Sequence, residues 1–189
     1  PPVKAATSIK PAADDYEPRL NWDEHTLYLV RGKPGENADI YVATRTPGGF
    51  GVPARLDDVC SEYDELGPEP SRDGRALYFY SNRPGGSGGY DIWVARHVDG
   101  VWQLPTNLGP RVNSEYNEYG PALTPDGATL YFASNRPDPR DTRQPDPDAW
   151  PATVREDLYR RTYDLYGCPM TDAGPGPATA LEVLNTPFN

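Results

Sequence analysis

Gly85-Gly86-Ser87-Gly88-Gly89 matches the Gly-x-Ser-x-Gly pattern that places a serine nucleophile on a sharp turn. That chemistry requires a strand before the serine, a helix after it and a histidine within proton-transfer reach. Here the flanking segments 76–81 and 91–96 both read as strands, so the glycines form a flexible hairpin connection instead. His97, the nearest base in sequence, lies at the end of the following strand and offers no triad. A second group is Ser81-Asn82-Arg83 with Asp91, which returns as Ser134-Asn135-Arg136 with Asp164. Repetition favours architecture, because Asx side chains cap turns and an arginine can bridge a carboxylate of the same unit. The functional alternative places Arg83 and Arg136 on a rim, where they would offer donors to a ligand's carboxylate.

A third group lies in the stretch 138–162, where Asp138, Asp141, Asp146 and Asp148 stand among arginines and prolines close to Trp150. Alternate acidic residues could hold calcium through hard oxygen ligands, but the EF-hand spacing and its closing glutamate are missing. The competing reading is a partner-binding loop with Trp150 as an anchor, since a tryptophan beside arginines suits an interface. Cys60 and Cys168 occupy non-equivalent places and are isolated from His25 and His97, so neither a zinc site nor any other cofactor is expected. A disulfide between the two cysteines is not expected either, and the redox compartment stays open.

These groups sit in a repeat. Glu69-Pro-Ser-Arg-Asp73-Gly74-Arg-Ala-Leu77-Tyr78-Phe79-Tyr80-Ser81-Asn82-Arg83-Pro84 returns as Pro121-Ala-Leu-Thr-Pro-Asp126-Gly127-Ala-Thr-Leu130-Tyr131-Phe132-Ala-Ser134-Asn135-Arg136-Pro137. A weaker copy runs from Glu17-Pro18 through Leu27-Tyr28-Leu29 to Pro34. The second half repeats as Asp39-Ile40-Tyr41-Val42, Asp91-Ile92-Trp93-Val94 and Asp164-Leu165-Tyr166. Each unit closes on a related segment, at 59–64, 112–117 and 184–189.

Within the middle unit, Asp73-Gly74 reads as a hairpin turn, because glycine takes the positive φ that a tight antiparallel connection demands. Leu77 and Phe79 alternate with Tyr78 and Tyr80, and Ile92 and Val94 with Trp93 and Ala95, so both faces of each strand are apolar. Asp99-Gly100 is a further turn, leading into a short outer strand at Val101-Trp102. Four short strands per unit of about fifty residues, apolar on both faces, is the pattern of a propeller blade packed between two others. The expected fold class is all-β, a β-propeller of four-stranded antiparallel blades with three blades in this chain.

Composition agrees. The 23 Pro and 18 Gly are spread through the 189 residues, which suits short strands and tight turns, and the 13 Tyr argue against disorder. The formal net charge of -10 speaks against nucleic acid or anionic membrane as direct partners, since both are read through Lys and Arg. No apolar run is long enough to cross a bilayer. A basic or cationic partner fits better.

The pattern Asp-Gly-x-x-Leu-Tyr-Phe-x-Ser-Asn-Arg-Pro followed by Tyr-Asp-Ile-Trp resembles the TolB-type propeller repeat of bacterial envelope and exported proteins, over nearly the whole chain from about Tyr16 to Asn189. The Gly-His and Trp-Asp signature of WD repeats is absent. The resemblance implies a six-bladed propeller, periplasmic or extracellular, that acts as a protein-binding module; the expected function is non-catalytic binding of another protein through one rim and the inserted loop. Alternatives are a propeller belonging to an enzyme, either metal-dependent and sugar-cleaving or gating a hydrolase, and glycan recognition by rim tyrosines and tryptophans. The enzyme reading needs clustered histidines or a second domain, and neither is in the sequence.

The units divide as 16–65, 66–118 and 119–189, the last with the insertion 138–162, and residues 1–15 read as the end of a preceding unit or a latch strand. Three blades cannot close a ring, since the end faces would stay apolar and exposed. Either further blades of a longer parent chain or a second copy of this one would complete it. The halt at Asn189 in mid-motif and the echo of 117–121 in 14–18 favour further blades of a longer parent chain, and the start at Pro1-Pro2, with Met170 the one methionine, reads as other than a translation start.

Overall fold

The computed structural model describes residues 14–137 and 163–185. Each copy of the repeat forms one antiparallel sheet, here called a blade. Blade 1 comprises β1 (Asp15–Leu20), β2 (Thr26–Arg31), β3 (Asp39–Thr46), β4 (Gly49–Phe50) and β5 (Ala54–Arg55). Blade 2 comprises β6 (Glu65–Pro70), β7 (Ala76–Ser81), β8 (Asp91–Val98), β9 (Val101–Trp102) and β10 (Thr106–Asn107). Blade 3 comprises β11 (Glu118–Leu123), β12 (Thr129–Ser134), β13 (Asp164–Thr171), β14 (Gly174–Pro175) and β15 (Thr179–Ala180). In every blade the two shortest strands both pair with the third, so they are two pieces of one outer fourth strand. Among the described residues there is no helix, and hence none long and apolar enough to cross a membrane.

The innermost strands carry a bulge at the same place in all three copies, where the register slips between Tyr16 and Arg19, Leu66 and Glu69, and Tyr119 and Ala122. This explains the recurrent Pro18, Pro68 and Pro121, because a proline lacks the N–H that an unbroken ladder needs and a bulge does not ask for it. The residue before each proline has positive φ, at 50° for Glu17, 59° for Gly67 and 57° for Gly120. Glu17 lacks the freedom of a glycine, and a compensation is visible. Its carboxylate accepts bonds from Gly67 N at 2.7 Å and from the Tyr80 hydroxyl at 2.9 Å, tying blade 1 to blade 2. Further along the same strands Arg19 Nε pairs with Glu69 Oε2 at 2.5 Å, while Leu123 N donates to Glu69 Oε1 at 3.1 Å. One buried carboxylate therefore links all three blades.

Strand alternation decides the core. All six residues of β7 are buried. Leu77 and Phe79 pair across the ladder with Ala95 and Trp93, and this face packs on Tyr28, Ile40 and Val59 of blade 1 and its exit loop. Tyr78 and Tyr80 pair with Val94 and Ile92, and that face packs with Val112, Tyr119, Leu130 and Phe132 toward blade 3. The period of two in the sequence thus feeds two separate cores, one at each side of blade 2. On blade 3 the residues equivalent to Tyr78 and Ile92 are Tyr131 and Leu165, which remain 39% and 42% exposed.

Candidate functional site

The register places the long loops 32–38 and 82–90 at one rim and the hairpins around 21–25, 71–75 and 124–128 at the other, because Arg31 pairs with Asp39 while Thr26 pairs with Thr44. Arg83 and Arg136 both lie at the loop rim, each at the heart of the same network. Glu65, fully buried at the start of β6, accepts from Ser61 N at 2.8 Å, Ser61 Oγ at 2.5 Å, Ser81 Oγ at 3.3 Å and Arg83 Nη2 at 2.7 Å. Arg83 Nη2 also donates to the Val59 carbonyl, and its guanidinium lies over the rings of Phe79 and Trp93. In the next blade Glu118 accepts from Ser114 N, Ser114 Oγ, Ser134 Oγ and Arg136 Nη2, and Arg136 reaches the Val112 carbonyl and covers Phe132 and Tyr166. The two clamps match atom for atom. Each joins the loop leaving one blade to the first and second strands of the next. Blade 1 has Arg31 where the others have serine, and it pairs with Asp15 at 2.7 Å in a more exposed bridge, while Lys33 stands in solvent.

The carboxylate at the head of the third strand orders the neighbouring loop. Asp91 accepts from Ser87 N at 2.5 Å, Gly88 N at 3.2 Å and Asn107 Nδ2 at 3.0 Å; burial pushes its pKa up, and these bonds partly offset that. The loop packs so closely that a Cβ on Gly88 would collide with the Tyr116 carbonyl and one on Gly86 with the Asp91 carboxylate. Glycines here serve close packing. Ser87 therefore lies between two strands, with no helix after it, and both histidines belong to the opposite rim, His25 in the first hairpin and His97 near the end of β8. Asp138, Asp141, Asp146, Asp148 and Trp150 lie outside the described residues.

A feature not read from the sequence is an open groove of about 400 Å³ at the hairpin rim between blades 1 and 2. Its apolar floor comprises Tyr28, Val42 and Leu56, its wall is Trp102 with His97 tilted against it, ring centroids 4.6 Å apart, and Asp23, Arg72 and Asp73 stand on the two hairpins at its mouth. Asp23 is fully engaged within its own turn, accepting from Asn21 Nδ2, His25 N, Thr26 N and Thr26 Oγ1; burial pushes its pKa up, and these bonds outweigh that, so it lies below the usual carboxylate range. Asp73 uses Oδ1 alone, accepting from Ser71 Oγ at 2.7 Å and Arg75 N at 3.1 Å, and these bonds hold its carboxyl low. Burial, with Asp23 nearby, pushes the Tyr28 hydroxyl up to about 12. Arg72 is drawn over Trp22, which is half exposed. The signal available in the sequence was a departure from the repeat. The ladder makes His97 and Trp102 equivalent to Arg45 and Phe50 in blade 1 and to Met170 and Pro175 in blade 3.

Asp39, Cys60 and Glu65 also converge at the junction of blades 1 and 2, with ligand atoms within 4.8 Å of one another. Arg55 pairs with Asp39 at 2.8 Å and Arg83 with Glu65, while burial, then Glu65 and Asp39, push the Cys60 thiol up to about 12. A protonated thiol and two arginine-paired carboxylates make a poor cation site. Cys60 and Cys168 are both free thiols, set in the cores on opposite sides of blade 2.

The fold is that of a TolB-like propeller. The chain is similar to the structure described as a TolB from Agrobacterium tumefaciens, with 26% identity and a TM-score of 0.56 over 89% of this chain and 49% of that one. It is also similar in fold to TolB from Acinetobacter baumannii, with 14% identity and a TM-score of 0.53 over 89% of this chain and 32% of that one. This chain thus spans about half the length of the first and about a third of the second. No family model matches the sequence, and no curated protein does.

Proposed function

We propose that this chain is a non-catalytic binding module, a TolB-like propeller of an exported bacterial protein in the periplasm or outside the cell, which holds a protein partner on its rim. The observation that carries this reading is the pair of matching clamps: the serines, arginines and glutamates at the loop rim are engaged in joining blades. The loop 138–162, with Trp150 as anchor and Asp138, Asp141, Asp146 and Asp148 beside it, supplies part of the partner surface without a cofactor. Capture of a partner from envelope extract by the intact chain and by a variant lacking 138–162 tests the loop; undiminished capture by the shortened chain removes it from the surface. Hydrolysis of simple esters above buffer, lost in Ser87→Ala or His97→Ala, would overturn the non-catalytic reading.

The bare face of Tyr131 and Leu165 favours one further element of the proposal. Its equivalents on blade 2, Tyr78 and Ile92, are 6% and 0% exposed because a blade covers them. A further blade, from a longer parent chain or a second copy, docks on this face. Solution mass of the chain separates the two, since a half-ring pair sediments at twice the monomer mass.

A further inference from the structure

We infer that the groove between the hairpin rims of blades 1 and 2 receives a basic side chain, arginine or lysine, presented by an extended segment of a protein partner. The inference rests on the reading of this chain as a binding module, but not on the loop 138–162.

Shape and chemistry point the same way. The groove, at about 400 Å³, takes one long side chain and its flanking backbone rather than a folded surface. Its depth is apolar, with Val42, Leu56 and the Tyr28 ring as floor, which suits the aliphatic stem that arginine and lysine share. Its mouth is acidic from two directions, with Asp23 on the first hairpin and Asp73 on the second. The Asp23 oxygens are both taken up by its turn, whereas Asp73 Oδ2 lies outside the bonds that Asp73 makes and is the acceptor for an incoming cation. The competing cation, Arg72, is held over Trp22. The formal charge of -10 adds long-range attraction for a basic segment.

The same features disfavour other occupants. A sugar would stack on an open aromatic face, but Trp102 has His97 against it and packs on the core formed by Tyr28, Phe79 and Trp93. An anion would meet two carboxylates. At the neighbouring junction Met170 stands where His97 does and packs against the core between blades 2 and 3, so the lining there differs.

The test is titration of the full chain with the neutral-ended tripeptides acetyl-Gly-Arg-Gly-amide, its Lys and Glu analogues, and methyl glucoside, followed by calorimetry and tryptophan emission. Saturable binding of the Arg and Lys peptides, absent for the Glu peptide and the sugar, is the expected result. Asp73→Asn keeps an Oδ1 acceptor for Ser71 and Arg75 and should weaken the Arg peptide at least about tenfold while moving the thermal midpoint only slightly. Asp126→Asn, the same change in the blade 3 hairpin, should leave binding unaltered. No saturation by the Arg peptide, equal binding of the Glu peptide, preference for the sugar, or indifference to Asp73→Asn would each overturn the assignment. Loss of partner capture on deleting 138–162 would not bear on these titrations, so the two readings fail separately.

Discussion

Blade 2 and blade 3 carry nearly the same second strand, Leu77-Tyr78-Phe79 and Leu130-Tyr131-Phe132, yet one buries both faces and the other only one. Leu130 and Phe132 are as buried as Leu77 and Phe79, because in both blades that face meets the blade before. The tyrosines part company: Tyr78 is 6% exposed and Tyr131 39%. The lesson is that a repeat sequence specifies a blade with two adhesive faces, while the neighbours decide which adhesion is realised. Stability should therefore be distributed unevenly over chemically equivalent positions.

The comparison is broken most severely at Phe79. Phe79→Ala should cost about 3–5 kcal/mol in equilibrium unfolding, while Tyr131→Ala should cost less than about 1 kcal/mol, because the latter ring has no neighbouring blade to leave. Comparable losses would show that a further blade, or a second copy, already covers Tyr131 in solution. The clamps give the next effect. Glu65→Ala strands the Arg83 guanidinium, whose side chain is only 11% exposed, and should cost about 3 kcal/mol. Arg31→Ala in the exposed equivalent of blade 1 should cost no more than about 1 kcal/mol, and denaturant titration distinguishes the two.

A smaller effect separates the cores on either side of blade 2. Cys60 lies in one and Cys168 in the other, and burial pushes both thiols above their ordinary value of 9.0. At pH 8 both should react with a disulfide reagent at least about a hundredfold more slowly in the folded chain than in denaturant. Because the folded pKa of Cys60 is raised, its contribution to stability is full below pH 9.0 and is lost as pH rises toward about 12. The smallest effect belongs to the turns. The Asp73 carboxyl is held low by Ser71 and Arg75, so its contribution is present above the usual carboxylate range and is lost as pH falls through the lower folded value. Asp73→Asn should flatten that acid limb slightly, with the exposed position keeping the change small.

Much of the architecture was readable from residue order. The hairpin at Asp73-Gly74, the two-faced strands at 76–81 and 91–96, and the glycine connection around Ser87 all follow from local pattern, and Gly74 has the positive φ of 68°. Arg83 was readable only as far as two alternatives, a bridge within the blade or a donor at the rim. Its engagement with Glu65 emerges from a carboxylate 18 residues away in sequence. Glu17 and Asp64 carry no local mark of their roles. Their partners, Tyr80 for the first and Ala38 and Tyr90 for the second, are set by how blades meet rather than by spacing within one. The groove was hidden for the same reason, since Asp23 and Asp73 come from different blades, and Trp102 reads as an ordinary outer-strand aromatic.

By itself, then, the order of residues determined the unit: where strands alternate, where turns reverse the chain, where a proline breaks the inner ladder, and that this unit occurs three times. These are short-range consequences of side-chain period and backbone freedom. Only the tertiary structure decided which face of each blade is covered, that Glu65 and Glu118 anchor matching clamps, and that a groove opens between the hairpin rims of blades 1 and 2. Burial and electrostatic partnership depend on atoms brought together from distant parts of the chain, and no local pattern encodes that distance.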